Sequence, residues 1–275
     1  MRRSSILFIV LFFSMTEFSY GSFENRGMSA RIEAIGGAGT ALNDAPFGHL
    51  YNPASGTGSE KRAAGFSYAL PFGGPEFDSF TGSFQTGEIP FDKNACAALS
   101  WQHYGSAVYQ ETTLYASLST KVAGTLRAGM SAGLLKRHAQ GKEDHTAPGI
   151  NLGLLASLSP SLDLGLSIFN LNRPATGSGS EKAPLRGSAG FAYRPSGTLA
   201  LGATLEKQEE NNIRLRAGSE FRVLRFLYLR TGFSTQPSTV TGGAGFAFGH
   251  IRGDLALVHH PELGTGSWYT IRVSF

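Results

Sequence analysis

The sequence predicts an all-β fold: a transmembrane antiparallel β-barrel of about fourteen strands, with an N-terminal segment plugging its lumen. Three patterns predict it. The last eight residues, Trp268-Tyr-Thr-Ile-Arg-Val-Ser-Phe275, place Tyr269, Ile271, Val273 and Phe275 on one parity and Trp268, Thr270, Arg272 and Ser274 on the other. A strand sends alternate side chains to opposite faces, so one face is apolar and the other mostly polar. From Ala63 onward the same two-faced pattern recurs about every 15 residues, which suits a tilted membrane strand of ~9–11 residues and its loop. The connections between these stretches alternate short and long.

The chain opens with a positive Arg2-Arg3 pair, an apolar core from Ile6 to Phe13, and small residues Ser19 and Gly21 placed for a cut after Gly21. This reads as a secretory leader over 1–21. The apolar run is too short for a spanning helix, which needs about 20 residues, and no later run replaces it. A chain that leaves the cytosol without a helical span is either soluble outside it or a closed barrel, because an open sheet edge in hydrocarbon leaves backbone groups unpaired. The terminal strand, ending on an aromatic residue, resembles the closing strand and assembly signal of bacterial outer-membrane β-barrels. That resemblance implies the outer membrane as location, with its lipids and the barrel assembly machinery as partners.

Composition agrees. Glycine is 36 of 275 residues, about twice the usual ~7%. Charged residues are 16%, against the usual ~25%. Twenty Phe and nine Tyr against two Trp and four Met favour strands. The net charge of +4 is spread along the chain without a basic, aromatic-interleaved cluster, which excludes nucleic acid as partner. The single Cys96 excludes an internal disulfide and a cysteine-based zinc site, and its parity turns it inward.

The expected strands cover 63–70, 77–86, 95–104, 110–120, 125–137, 148–158, 161–170, 185–194, 198–206, 212–222, 226–234, 240–249, 251–259 and 267–275. Leu162, Leu164, Leu166 and Ile168 oppose Asp163, Gly165, Ser167 and Phe169; Ile213, Leu215, Ala217 and Phe221 oppose Arg214, Arg216, Gly218, Glu220 and Arg222. Short connections are expected at 121–124, 159–160, 195–197 and near Leu224 and His250. Long ones are expected at 138–147, 171–184, 207–211, 235–239 and 260–266. Outer-membrane barrels have short periplasmic turns and longer external loops, whereas a soluble sandwich has no reason for strict alternation.

The mixed face carries Arg127, Arg186, Arg214, Arg216, Glu220, Arg222, Arg230, Arg252, Asp254 and Arg272, and the other face nearly all the Leu, Ile and Val. So many charges in a dry core would be very costly, so they are expected to line the lumen, with leucines toward lipid. The arginines have two readings: a site for an anionic head group such as a carboxylate, or a network with Glu220, Asp254, Glu206 and Asp163 that holds strands and plug in register. Other candidates carry less. His259-His260 with Asp254 and Glu262 do not converge, because His259 has the lipid-facing parity. Lys142-Glu-Asp-His145 reads as a solvated loop tip. No nucleophile with a positioned base, no paired acids and no cofactor motif emerge, so no enzyme, cofactor or metal is expected.

Residues 22–62 do not read as strands and form the expected plug segment, with the barrel over 63–275. Ser29 is placed to cap a short helix through Ile35, ended by Gly36 and Gly37. Gly36, Gly37 and Gly39 suit close packing of backbone against a barrel wall, and Asn52-Pro53 marks a fixed turn. The third glycine of a dinucleotide loop is missing. The stretch Ala30-Arg-Ile-Glu-Ala-Ile-Gly-Gly-Ala-Gly-Thr-Ala-Leu-Asn-Asp-Ala45, with Asp44, followed by Leu50-Tyr-Asn-Pro-Ala54, resembles the amino-terminal signature of FadL-like long-chain fatty acid transporters and the related PorV/PorQ proteins. Asn43-Asp44 stands where that family has a double acid, and Ser55 where it has glycine. The resemblance implies a fourteen-stranded barrel plugged by this segment. It also implies either passage or binding of small hydrophobic molecules, or an accessory role with secretion components. The short chain leaves little length for substrate-collecting loops.

Overall fold

A computed structural model describes residues 22–24, 26–57, 62–89, 92–177, 181–209 and 211–275; the expected leader over 1–21 lies outside them. Fourteen strands follow one another: β1 Arg62–Leu70, β2 Asp78–Ile89, β3 Asp92–Gly105, β4 Tyr109–Ala123, β5 Leu126–Ala139, β6 His145–Ser159, β7 Leu162–Phe169, β8 Arg186–Ser196, β9 Leu199–Gln208, β10 Arg214–Leu224, β11 Leu227–Ser234, β12 Thr239–Phe248, β13 Ile251–His260 and β14 Gly264–Ser274. Each pairs antiparallel with its sequence neighbours, and β1 pairs with β14 in the register Ala63↔Ser274 to Leu70↔Ser267, which closes the ring. Among the described residues no helix is long and apolar enough to cross a membrane.

The alternation read in the sequence sets the two faces. In β14, Tyr269, Ile271 and Phe275 are 49%, 54% and 62% exposed, whereas Trp268, Thr270 and Arg272 are at 4–6%. Leu164, Leu166 and Ile168 of β7 and Val273 of β14 also face out. The exterior is a belt of large apolar side chains, a surface that fits hydrocarbon and not water. A few apolar groups break the pattern and turn inward, Leu135, Leu155 and Phe169 among them.

Loop lengths differ from expectation in an instructive way. The connections 124–125, 160–161, 197–198, 225–226 and 249–250 are two residues each, as read from the strand bounds. Those at the other end are longer, but most are shorter than expected: the 138–147 loop shrinks to 140–144, and 260–266 to 261–263. Pairing continues above the apolar belt, with Lys136↔Thr146 and Arg137↔His145 in register and Lys136 bridging Asp144 at 2.9 Å. Polar side chains thus extend the β5–β6 hairpin into a region where water can bathe them. The loop 170–185 keeps its length.

Candidate functional site

Residues 26–57 run inside the ring and touch strands on every side of it. The expected helix is a single turn, α1, Ala30–Glu33. Ser29 has the extended backbone of a cap, but its hydroxyl makes no cap bond. The wall supplies the partners instead, which is why the local capping signal misleads. The Ala30 N–H donates to Thr270 Oγ1 at 2.8 Å, and Thr241 Oγ1 accepts from the Gly36 N–H and donates to the Ala34 carbonyl, both at 3.0 Å. Gly36 and Gly37 then turn the chain through positive φ of 73° and 79°. Tyr51 folds back on this turn, its hydroxyl accepting from the Met28 and Ser29 N–H groups at 2.9 and 3.0 Å. Asn52 donates to the carbonyls of Thr40 (2.8 Å) and Leu154 (3.0 Å) and accepts from the Ala54 N–H (3.0 Å). Pro53 opens the one-turn 3-10 helix that follows.

Glycines let the wall come this close. One inward glycine on each of β5 to β12 (Gly129, Gly153, Gly165, Gly190, Gly202, Gly218, Gly232 and Gly243) lies against the inner segment where a Cβ would stand. A methyl on Gly218 would sit 2.6 Å from the Ile35 carbonyl oxygen, and one on Gly243 2.6 Å from Ala34 Cβ. At Gly153 it would strike the Asn52 side chain and lie 2.9 Å from the Ala54 nitrogen. Gly39 is itself covered by the Tyr51 ring.

Charged residues join segment to wall in a closed ring of alternating sign. Arg31 grips Glu220 in bidentate fashion at 2.8 Å for both bonds, and Glu220 also accepts from Arg230 at 2.6 Å. Arg230 bridges Asp254 at 2.9 Å, Asp254 bridges Arg272 at 3.2 Å, Arg272 pairs with Asp44, and Asp44 returns to Arg31 at 3.4 Å. Three cations and three anions balance, which is the condition for burying them. Burial alone would raise the Asp44 carboxyl, but Arg272 and Arg31 overcome it and hold Asp44 below the ordinary carboxylate range. Arg252 borders a cavity of about 30 Å³ beside this ring.

A second cluster gathers Arg186, Arg214 and Arg216 about Glu206 at 4.0, 3.5 and 3.2 Å, with Arg186 stacked on the Phe169 ring. Glu33 is buried near Arg216, and burial pushes its carboxyl upward. Arg127 donates to the Thr57 carbonyl and Ser157 Oγ at 3.0 Å each and approaches Asp163. Arg222 stays half-exposed near the two-residue turns. Glu220, Asp254, Glu206 and Asp163 thus meet arginines from the wall side, and Asp44 meets Arg272 from the inner segment. Sequence reasoning missed Arg31, Arg26 and Glu111, because nothing local marks a partner 189 or 85 residues away.

A mouth cavity of about 50 Å³ opens at the end with the longer loops. Phe23, Met28, Leu50, Tyr104, Tyr115 and Phe169 give it apolar walls, and Arg26, Gln102, Glu111 and Arg186 give it polar ones. Glu111 accepts from the Phe23 N–H (3.0 Å), Arg26 (2.6 Å) and the Tyr109 hydroxyl (2.6 Å), and Arg26 stacks on Tyr104 at 3.9 Å. The remaining candidates stay apart. His259 faces outward at the rim and meets Thr265, His260 Nδ1 accepts from the Glu262 and Leu263 N–H groups, and Asp254 is engaged in the charge ring. Lys142 to Asp144 lie at a hairpin tip, His145 opens β6 opposite Arg137, and Cys96 is buried and inward. Among the described residues no three metal-binding side chains gather.

A closed fourteen-stranded barrel with an amino-terminal segment across its lumen is a FadL-type barrel fold, and solved structures of that type are similar to this chain throughout. The toluene transporter TbuX of Ralstonia pickettii matches with a TM-score of 0.69 at 14% identity, covering 92% of this chain and 100% of the other. The CymD monoaromatic hydrocarbon channel matches with 0.69 at 14% identity, over 92% and 99%. A Pseudomonas aeruginosa FadL homologue matches with 0.67 at 13% identity, over 90% and 98%. At these identities the likeness is one of fold. No protein-family model and no curated protein matches the sequence.

Proposed function

We propose that the protein is an outer-membrane barrel that binds and passes small hydrophobic molecules. The observation that carries this reading is the mouth cavity, with aromatic and apolar walls directly above the inner segment. Its volume of about 50 Å³ is well below the ~150 Å³ of a cavity that holds benzene. Phe23, Glu24, Arg26, Gly27 and Met28 form part of its wall, so their displacement is the step that admits a ligand. Onward passage requires the Asn52-Pro53 turn to leave its seat against Gly129 and Gly153. Arg186, buried at the cavity edge, gives an anionic end of a ligand a partner. Purified protein in liposomes should speed uptake of an aromatic hydrocarbon or a fatty acid several-fold; uptake equal to that of empty vesicles removes the proposal.

The short loops favour a second reading. Apart from 170–185, the outer connections span three to seven residues by their strand bounds, little surface for collecting substrate. A PorV/PorQ-like accessory barrel for protein secretion and surface attachment needs no such loops. Recovery of secretion components in a crosslinked pull-down, with no uptake in liposomes, would select it.

A further inference from the structure

The side of the lumen opposite the glycines is built differently. Where β5–β12 present glycine, β3 and β4 turn Ser100 and Ser117 inward. Both hydroxyls are more than nine-tenths buried and have no hydrogen-bond partner among the described residues. The same holds for Ser55 and Thr57 of the inner segment, and neither ring nitrogen of the buried His49 makes a hydrogen bond of good geometry, although the Pro46 carbonyl is near. Leaving a buried hydroxyl unpaired is costly, and native proteins carry few such groups. Contacts bring four of them together: the Pro46 carbonyl near His49 accepts from Ser83 Oγ at 2.8 Å, Ser83 pairs with Ser100, Ser117 pairs with Ala98 beside Ser100 on the inward face of β3, and a methyl on Gly48, next to His49, would stand 2.5 Å from Ser55 Oγ. Gly56, between Ser55 and Thr57, lies against Cys96 of β3 and Ser119 of β4.

These groups also line up with an entrance. Ser100 is two residues along β3 from Gln102, and Ser117 two along β4 from Tyr115, so each shares a face with a residue that lines the mouth cavity. At the far end the interface closes: a methyl on Gly56 would stand 2.8 Å from Cys96 Sγ and 2.9 Å from Ser119 Oγ.

We propose that this interface is a hydrated seam: a file of bound water that enters from the mouth cavity, serves Ser100, Ser117, Ser55 and His49, and stops where Gly56 meets Cys96 and Ser119. Buried water commonly makes about three hydrogen bonds to polar groups otherwise unsatisfied. Burial lowers the His49 pKa to about 4, so the ring is neutral and offers water one donor and one acceptor. The seam is independent of what the barrel carries.

X-ray radiolysis tests it in the intact protein in detergent, because it splits bound water in place and the radicals mark the nearest side chains. His49 and its neighbour Phe47 are both fully buried, but the Phe47 ring packs on Gly65 of β1, two strands from Ser100, and has no polar atom to hold water. With rates normalised to the unfolded chain, His49 should be marked at least five-fold faster than Phe47. Ser100→Val combined with Ser117→Val should bring the ratio close to one, with heat-modifiable gel mobility verifying the barrel. Equal protection of His49 and Phe47 in the wild type overturns the proposal, and so does an unchanged ratio in the folded double variant. Should that variant not fold, the wild-type ratio alone decides.

Discussion

The β5–β12 wall and the β2–β4 wall enclose the same inner segment and hold it in opposite ways. The first meets it backbone to backbone across inward glycines, and the charge ring through Glu220, Arg230, Asp254 and Arg272 extends that firm contact to β14. The second offers Ser79, Thr81, Ser83, Ser100, Thr113, Ser117 and Ser119, and bonds the segment through side chains: Glu111 to Arg26 and Gln102 to Met28 at the mouth, Ser83 to the Pro46 carbonyl and Gln85 to the Gly56 carbonyl farther in. Close backbone contact on one side and side-chain bonds on the other make the two walls differ in what a substitution disturbs.

This contrast can be broken at several points. Asp44→Ala should have the largest effect. It strips Arg272 and Arg31 of a shared buried partner, and losing one member of a buried pair costs about 3–5 kcal/mol. Denaturant unfolding followed through Trp268, buried beside Gly27, measures it. The pH dependence has a definite sign. The folded Asp44 pKa lies below the unfolded value of ~3.9, so its contribution is complete above that value and disappears as pH falls through the folded one. Acid destabilisation below about pH 4 should therefore be shallower in Asp44→Asn.

Gly153→Val comes next. Overpacking typically costs about 1–3 kcal/mol, and here it pushes the Asn52 turn off the wall, so limited proteolysis should cut within 46–57 while gel mobility still reports a closed barrel. Asn52→Ala removes the cap on the Pro53 turn and should cost about 0.5–2 kcal/mol, by the same unfolding assay. Ser100→Ala should be the mildest, under about 0.5 kcal/mol, because the hydroxyl it removes has no protein partner. A Ser100→Ala loss equal to that of Gly153→Val would erase the distinction between the walls.

Strand parity was legible because period-two alternation survives in every strand, from Leu164 outward and Ser167 inward to Ile271 outward and Arg272 inward. Turn positions were legible where two residues must reverse the chain. Loop lengths were not, since polar residues such as His138 and Thr146 read as loop although they pair. The acids that meet the arginines could be named from their shared face. The closing members of the charge ring could not, because Arg31 and Asp44 come from a segment whose path no periodicity encodes. The glycines were visible only as a composition; that Gly129, Gly153 and Gly218 share the parity of the arginines acquires meaning once a backbone lies against them.

The inner segment is bonded to β14, 240 and 228 residues further along the chain: Ala30 to Thr270, and Asp44 to Arg272. That same strand seals the cylinder, ending with the Phe275 N–H on the Arg62 carbonyl at 3.0 Å. Like a ship in a bottle, contents and neck depend on one another: the strand that shuts the cylinder also holds what lies inside it, so loosening one loosens the other.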